Sequence, residues 1–124
     1  MALFAIADLH GDLDKAHAAL RLCGLVSDTD AGVRWSAGNR TLVQTGDLLD
    51  RGPQSRKVVE LFWDLQTQAA SHGGQVVTLL GNHEALNLEG DYRYMHADEL
   101  AAARSPSSRQ KNSSIGEITT ARKL

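Results

Sequence analysis

The sequence predicts an α/β domain built on a mostly parallel sheet with flanking helices. Three apolar runs of strand length alternate with two helical repeats, the order expected when parallel strands are joined by helical crossovers. Each run leads directly into a polar turn: Ala7-Asp8-Leu9-His10-Gly11-Asp12, Gly46-Asp47-Leu48-Leu49-Asp50-Arg51-Gly52 and Gly81-Asn82-His83-Glu84. Open α/β sheets bind ligands beyond the carboxyl ends of their strands, so the three turns are expected to converge.

Ala2-Leu3-Phe4-Ala5-Ile6-Ala7 is continuously apolar, which predicts a strand covered on both faces. After Gly11, either Asp12 or Asp14 can cap a helix by accepting its orphan N–H groups. Leu13, Ala16, Leu20 and Cys23 then recur at helical spacing, with Gly24 as the stop. Cys23 on that stripe reads as a small core residue, and His17 beside it needs no role beyond packing or solvent contact. Residues 27–40 are polar and contain glycine, so they read as a loop with a short strand around Val33-Arg34-Trp35. The run 41–45 is a buried strand bounded by glycine and delivers the Asp47 turn. Pro53 restricts the residue before it and introduces a helix with the stripe Val58, Phe62, Leu65 and Ala69. Trp63 is expected to pack beside that stripe, while Arg56, Lys57, Glu60 and Gln66 are solvated. Gly73-Gly74 ends the helix, and residues 75–80 form the third strand.

Residues 85–100 are mixed and read as loop and short helix beside the turns. From Ala101 the chain turns to Ala, Ser, Arg, Lys and Gln, too little apolar surface to offset ordering entropy. Residues 1–100 are therefore read as the domain and 101–124 as a low-complexity tail, disordered over most of 104–124.

A chain of 124 residues suits one small domain with a single core. Its formal net charge of -2 gives no electrostatic case for nucleic acid or an acidic membrane surface. No apolar run reaches the length of a membrane span, and a first strand expected almost at Met1 would leave no room for a signal or transit peptide in the chain as given, or would mark an incomplete amino terminus. The lone Cys23 excludes an intramolecular disulfide and fits a reducing compartment. A soluble, cytoplasmic protein is the expectation; the closing Arg122-Lys123-Leu124 matches the peroxisomal Ser-Lys-Leu signal only loosely.

Taken singly, each polar turn has an ordinary reading: a surface loop, a helix capped by Glu84, plain turn glycines. Three in order, each after a strand, favour one shared site. Carboxylate and amide oxygens suit hard divalent cations and imidazole suits zinc, iron and manganese, so Asp8, His10, Asp47 and Asn82 form a plausible ligand set. Asp47 could bridge two ions, and such a pair, about 3.5–4 Å apart, clamps phosphate and activates water. Arg51 could hold phosphate oxygens bidentately, His83 could protonate the leaving oxygen, and Asp50 could orient His83 and favour its charged form.

Asp8-x-His10-Gly11-Asp12, Gly46-Asp47-x-x-Asp50-Arg51-Gly52 and Gly81-Asn82-His83-Glu84 resemble the signature of calcineurin-like metallophosphoesterases. Asp50-Arg51-Gly52 and Glu84 are similar to the phosphoprotein phosphatase branch, and the run Leu86-Asn87-Leu88-Glu89-Gly90-Asp91-Tyr92-Arg93-Tyr94 resembles the Shewanella-like protein phosphatases. The resemblance covers about residues 3–96. It implies the amino-terminal half of an αββα sandwich and a site for two divalent metal ions, manganese, iron or zinc. It also implies hydrolysis of a phosphorylated protein or small phosphomonoester, with phosphotyrosine preferred by some members. By motif position it implies Asp8, His10, Asp47 and Asn82 as ligands, Arg51 and Asn82 as phosphate contacts, His83 as general acid and Asp50 as its partner.

The family's remaining two metal-binding histidines belong to downstream Gly-His and His motifs with no counterpart here, and His17, His72 and His96 do not stand in such motifs. The chain thus resembles the first half of the domain followed by an unrelated tail, and a missing second sheet would expose apolar surface for association. Two functional expectations follow. One is a metal-dependent, protein phosphatase-like hydrolase; the other is a non-catalytic half-domain that binds metal or phosphate weakly or pairs with a full-length relative.

Overall fold

The computed structural model describes residues 2–104. They form β1 (Leu3–Ile6), α1 (Leu13–Leu22), β2 (Val26–Thr29), β3 (Gly32–Trp35), β4 (Thr41–Gln44), α2 (Ser55–Ser71), β5 (Gln75–Thr78), α3 (Asn82–Leu88) and α4 (Ala97–Arg104). β1, β4 and β5 make a parallel sheet with β4 in the centre. Ile6 is level with Gln44 and Gln44 with Thr78, so the strands stop together. That flush end puts all three polar turns on one edge, as the strand-then-turn pattern predicts.

Of the two candidate caps for α1, Asp12 is the one used, its carboxylate accepting the Lys15 N–H at 3.0 Å. Asp14 sits in the first turn, where a negative charge suits the helix dipole. α2 begins at Ser55, two residues beyond Pro53, and Gln54 offers it no side-chain cap. Glu99 of α4 fills that role across the fold by accepting the Ser55 N–H.

The short strand expected around Val33-Arg34-Trp35 is present as β3, and the loop expected before it is corrected to a second strand. Val26–Thr29 pairs antiparallel with Gly32–Trp35 as a hairpin. Val-Ser-Asp-Thr carries no alternating apolar pattern, so only its partner makes it a strand. Trp35 is 5% exposed, its backbone N–H donates to Gln68 Oε1 at 2.7 Å and its indole to Gly38 O at 3.0 Å. Trp63, expected to pack beside the α2 stripe, is instead 50% exposed. It stands one residue, about 100°, around the helix from buried Phe62.

One core lies on one face of the sheet. Ile6, Leu42 and Val76 meet Ala16 and Leu20 of α1 and Val58, Phe62, Leu65 and Ala69 of α2. Burying each large apolar side chain there contributes about 1.5–3 kcal/mol. Cys23 packs against this core as expected. The other face of β1 is open among the described residues, with Leu3 69% exposed and Ala5 exposed, against the expectation of cover on both sides. Apolar content reports what a strand is suited to bury; α1 and α2 both bury their stripes in the core on the opposite side. α4 continues through 101–104, alanine-rich and helix-favouring, and 105–124 lie outside the described residues. No helix among the described residues is long and apolar enough to cross a membrane.

Candidate metal centre and active site

The three turns are joined first through their backbones. Leu9 and His10 N–H both donate to Asp47 O at 3.0 Å, Gly11 N–H to Leu48 O at 2.8 Å and Gly52 N–H to His10 O at 2.8 Å. Such contact leaves no room for side chains at the crossing points. Gly46 has φ +102°, and a Cβ there would collide with Gly81 N; a Cβ on Gly52 would lie 2.5 Å from His10 O. These glycines are required by close approach as well as by turn geometry. Fully buried Gln44 braces the same crossing, accepting from Gly46 N at 2.8 Å and donating to Gly46 O at 2.7 Å. Sequence reasoning passed over Gln44; an amide inside an apolar strand just before the turn was the available signal.

His10, Asp47, Asp50 and Arg51 have φ of +46°, +56°, +70° and +67°, and among the described residues they are the non-glycine positions with positive φ. Each such conformation costs on the order of 1–3 kcal/mol and persists only where the surroundings dictate it. All four stand in the sequence motifs. Local strain and candidate chemistry coincide.

Asp8, His10 and Asp47 each offer a ligand atom, and these atoms lie within 4.8 Å of one another. His10 Nδ1 donates to Leu49 O at 3.0 Å, which assigns the proton to Nδ1 and leaves Nε2 as a lone-pair donor 3.6 Å from Asp8 Oδ2. With its nitrogen turned inward, the exposed Asn82 amide donates to Asp47 Oδ2 at 2.9 Å and Oδ1 at 3.0 Å. With its oxygen turned inward, the amide oxygen would join the two Asp47 oxygens around a cation. Two carboxylates, an imidazole nitrogen and an amide oxygen fit a divalent metal such as manganese, iron or zinc. The residues present fit the group.

Beside this cluster lies a buried histidine–aspartate pair. His83, 4% exposed, donates from Nδ1 to Asp50 Oδ2 at 3.0 Å, leaving Nε2 for chemistry. Asn87 Nδ2 lies 3.0 Å from both Asp50 oxygens and donates to His83 O at 2.9 Å. Asn87 had no role in the sequence-derived site, although its i+4 spacing from His83 put both on one helix face. Glu84 does more than cap α3: its carboxylate accepts from Asp47 N, from Gly81 N at 3.1 Å and from Leu49 N at 3.4 Å. It ties the Asp47 turn to the Asn82-His83 turn, and burial raises its pKa against the lowering effect of those bonds. Arg51 reaches the exposed rim, its guanidinium carbon 5.7 Å from the Tyr94 ring centre. His72 bonds Gln68 O at 2.9 Å and His96 lies 3.9 Å from Asp98; neither joins the ligand cluster, nor does His17.

The sequence profile of the calcineurin-like phosphoesterases matches residues 1–117. The chain belongs to that family. An uncharacterized protein of Schizosaccharomyces pombe is 50% identical over 105 residues, 85% of this chain and 31% of that protein. Shewanella-like protein phosphatase 2 of Arabidopsis thaliana is 44% identical over 93 residues, 75% of this chain and 23% of that protein. The crystal structure of a cold-active protein-tyrosine phosphatase from a psychrophilic Shewanella species matches with TM-score 0.73 at 37% identity, covering 80% of this chain and 29% of that one. The motif resemblance thus holds both for the family and for the Shewanella-like group. This calcineurin-like chain spans less than a third of the length of each of these relatives.

Proposed function

We propose that the chain carries the metal-binding and proton-donating part of a phosphomonoester hydrolase acting on a phosphorylated protein or a small phosphomonoester. The observation that carries this reading is the clustering of Asp8, His10 and Asp47 within 4.8 Å beside the His83–Asp50 pair. Asp8, His10, Asp47 and Asn82 would hold the divalent metal, or the pair of metal ions, that the reaction uses. When bound, that metal supplies a Lewis acid for the phosphoryl group and lowers the pKa of an attacking water. The chain's own residues supply the rest. Arg51 offers its guanidinium fork to phosphoryl oxygens that do not leave. His83 hands the proton on Nε2 to the departing oxygen, while Asp50 holds Nδ1–H and stabilises the imidazolium before transfer. Glu84 and Asn87 keep the turns and the histidine–aspartate pair in register.

A second reading, a half-site that binds metal or phosphate without turnover, is favoured by the openness of one side: the Asp8 side chain is 55% exposed. Metal content and p-nitrophenyl phosphate hydrolysis of the chain with manganese, beside Asp47→Asn, separate the two. Tightly held metal and turnover lost in the variant support hydrolysis. Weak metal and no turnover above the variant leave the non-catalytic reading standing and remove the first.

A further inference from the structure

Tyr94, in the connection between α3 and α4, meets two members of the candidate site at once. Its carbonyl accepts the Arg51 N–H at 2.7 Å, at a residue whose φ of +67° needs such support. Its ring centre is 5.7 Å from the Arg51 guanidinium carbon and 5.2 Å from the His83 ring, which it meets edge-on at 62°. Arg93 also approaches this ring, at 6.0 Å, but its own fork is taken by Asp91, with Nη2 2.7 Å and Nε 3.0 Å from carboxylate oxygens. Arg51 differs. Its guanidinium makes no hydrogen bond or ion pair among the described residues, so the aromatic face is what holds it. A ring attracts a guanidinium through its π face and leaves the five N–H donors free.

We propose that Tyr94 is the positioning residue for Arg51. It holds backbone and guanidinium at the rim beside His83 while leaving every donor of the fork open to a tetrahedral oxyanion. This rests on the reading of Arg51 as the phosphate clamp. An aspartate in the same place would hold the guanidinium as firmly and consume its donors, as Asp91 does for Arg93.

The test uses the full chain and two readouts. The first is inorganic phosphate binding to the manganese-loaded protein by calorimetry. The second is the Arg51 Nε–H resonance of the metal-free protein, which the Tyr94 ring, 5.7 Å from the guanidinium carbon, is expected to displace. Tyr94→Phe keeps the ring and is expected to match wild type in both. Tyr94→Leu is expected to weaken phosphate about two- to fivefold, and to return the Arg51 resonance towards that of a free arginine. Arg51→Ala marks complete loss of the clamp, roughly tenfold or more. An Arg51 resonance and phosphate affinity unchanged in Tyr94→Leu, or equal losses in Tyr94→Phe and Tyr94→Leu, would overturn the proposal. The resonance decides the positioning separately from the clamp. A wild-type chain that binds no phosphate sinks the clamp, while a resonance shift in Tyr94→Leu alone still upholds Tyr94 as the residue that holds Arg51.

Discussion

His83 and Asp50, with side-chain exposures of 6% and 2%, are joined at 3.0 Å, whereas Asp8 and His10, at 55% and 21%, stand 3.6 Å apart. On the His83 side, Asn87 reaches both oxygens of the Asp50 carboxylate, so a charge taken out of water is repaid with donors. On the Asp8 side, two carboxylates share a small space: Asp8 is open to solvent, which screens it, whereas Asp47 is buried and accepts the His83 backbone N–H at 2.9 Å. The comparison teaches that folding alone completes the His83–Asp50–Asn87 hydrogen bonds. The Asp8–His10–Asp47 cluster keeps two carboxylates close together, a concentration of negative charge that a cation would neutralise. Glu84 belongs to both sides, since its carboxylate holds Asp47 N on one and Gly81 N on the other.

The largest expected effect is on what the two sides share. Gly46→Ala puts a Cβ against Gly81 N at a φ of +102° and should lower the stability of the metal-free chain by about 3 kcal/mol or more. Urea unfolding measures it, and an unchanged midpoint would mean that the close crossing of the turns is not what holds either side. Asn87→Ala should act on the buried side alone. Removing the donor from the Asp50 oxygens should cost about 1–3 kcal/mol in stability, with manganese affinity by calorimetry held at the wild-type value. Manganese affinity falling in step with stability would show that the two sides cannot be separated.

The smallest effect concerns pH. Glu84 has a pKa raised above its ordinary 4.5, chiefly by burial, so the folded chain holds this proton to higher pH than the unfolded chain does. Its contribution is therefore complete below the unfolded pKa and is lost as pH rises through the folded value. Glu84→Gln removes that loss. The stability of wild type minus variant, measured without metal, should decline as pH is raised from about 4 towards neutrality. A difference that stays flat or grows would show that the three backbone N–H bonds, not burial, govern Glu84.

How much was legible in the residues follows from how local each signal is. The apolar runs of β1, β4 and β5, the stripes of α1 and α2, and an aspartate cap on α1 are read within a few residues and stand in the structure, which chooses Asp12 over Asp14 for the cap. The shared placement of Asp8, His10, Asp47, Asp50, Arg51, Asn82 and His83 was legible because each follows a strand end, and parallel strands that stop together bring their turns to one edge. β2 was hidden because Val-Ser-Asp-Thr becomes a strand only beside β3. Trp35 and Trp63 exchange the burial that their neighbourhoods suggest, since hairpin placement and helix rotation decide which ring meets the core. The roles of Gln44, Glu84, Asn87 and Tyr94 depend on partners tens of residues away or on the path of a turn. The sequence by itself determined the elements and the donor types at their ends, because periodicity and turn chemistry act over one or two turns of chain. Only the tertiary structure decided which donors meet, which are buried and which stay open to a ligand, because those depend on distances between segments that no local pattern encodes.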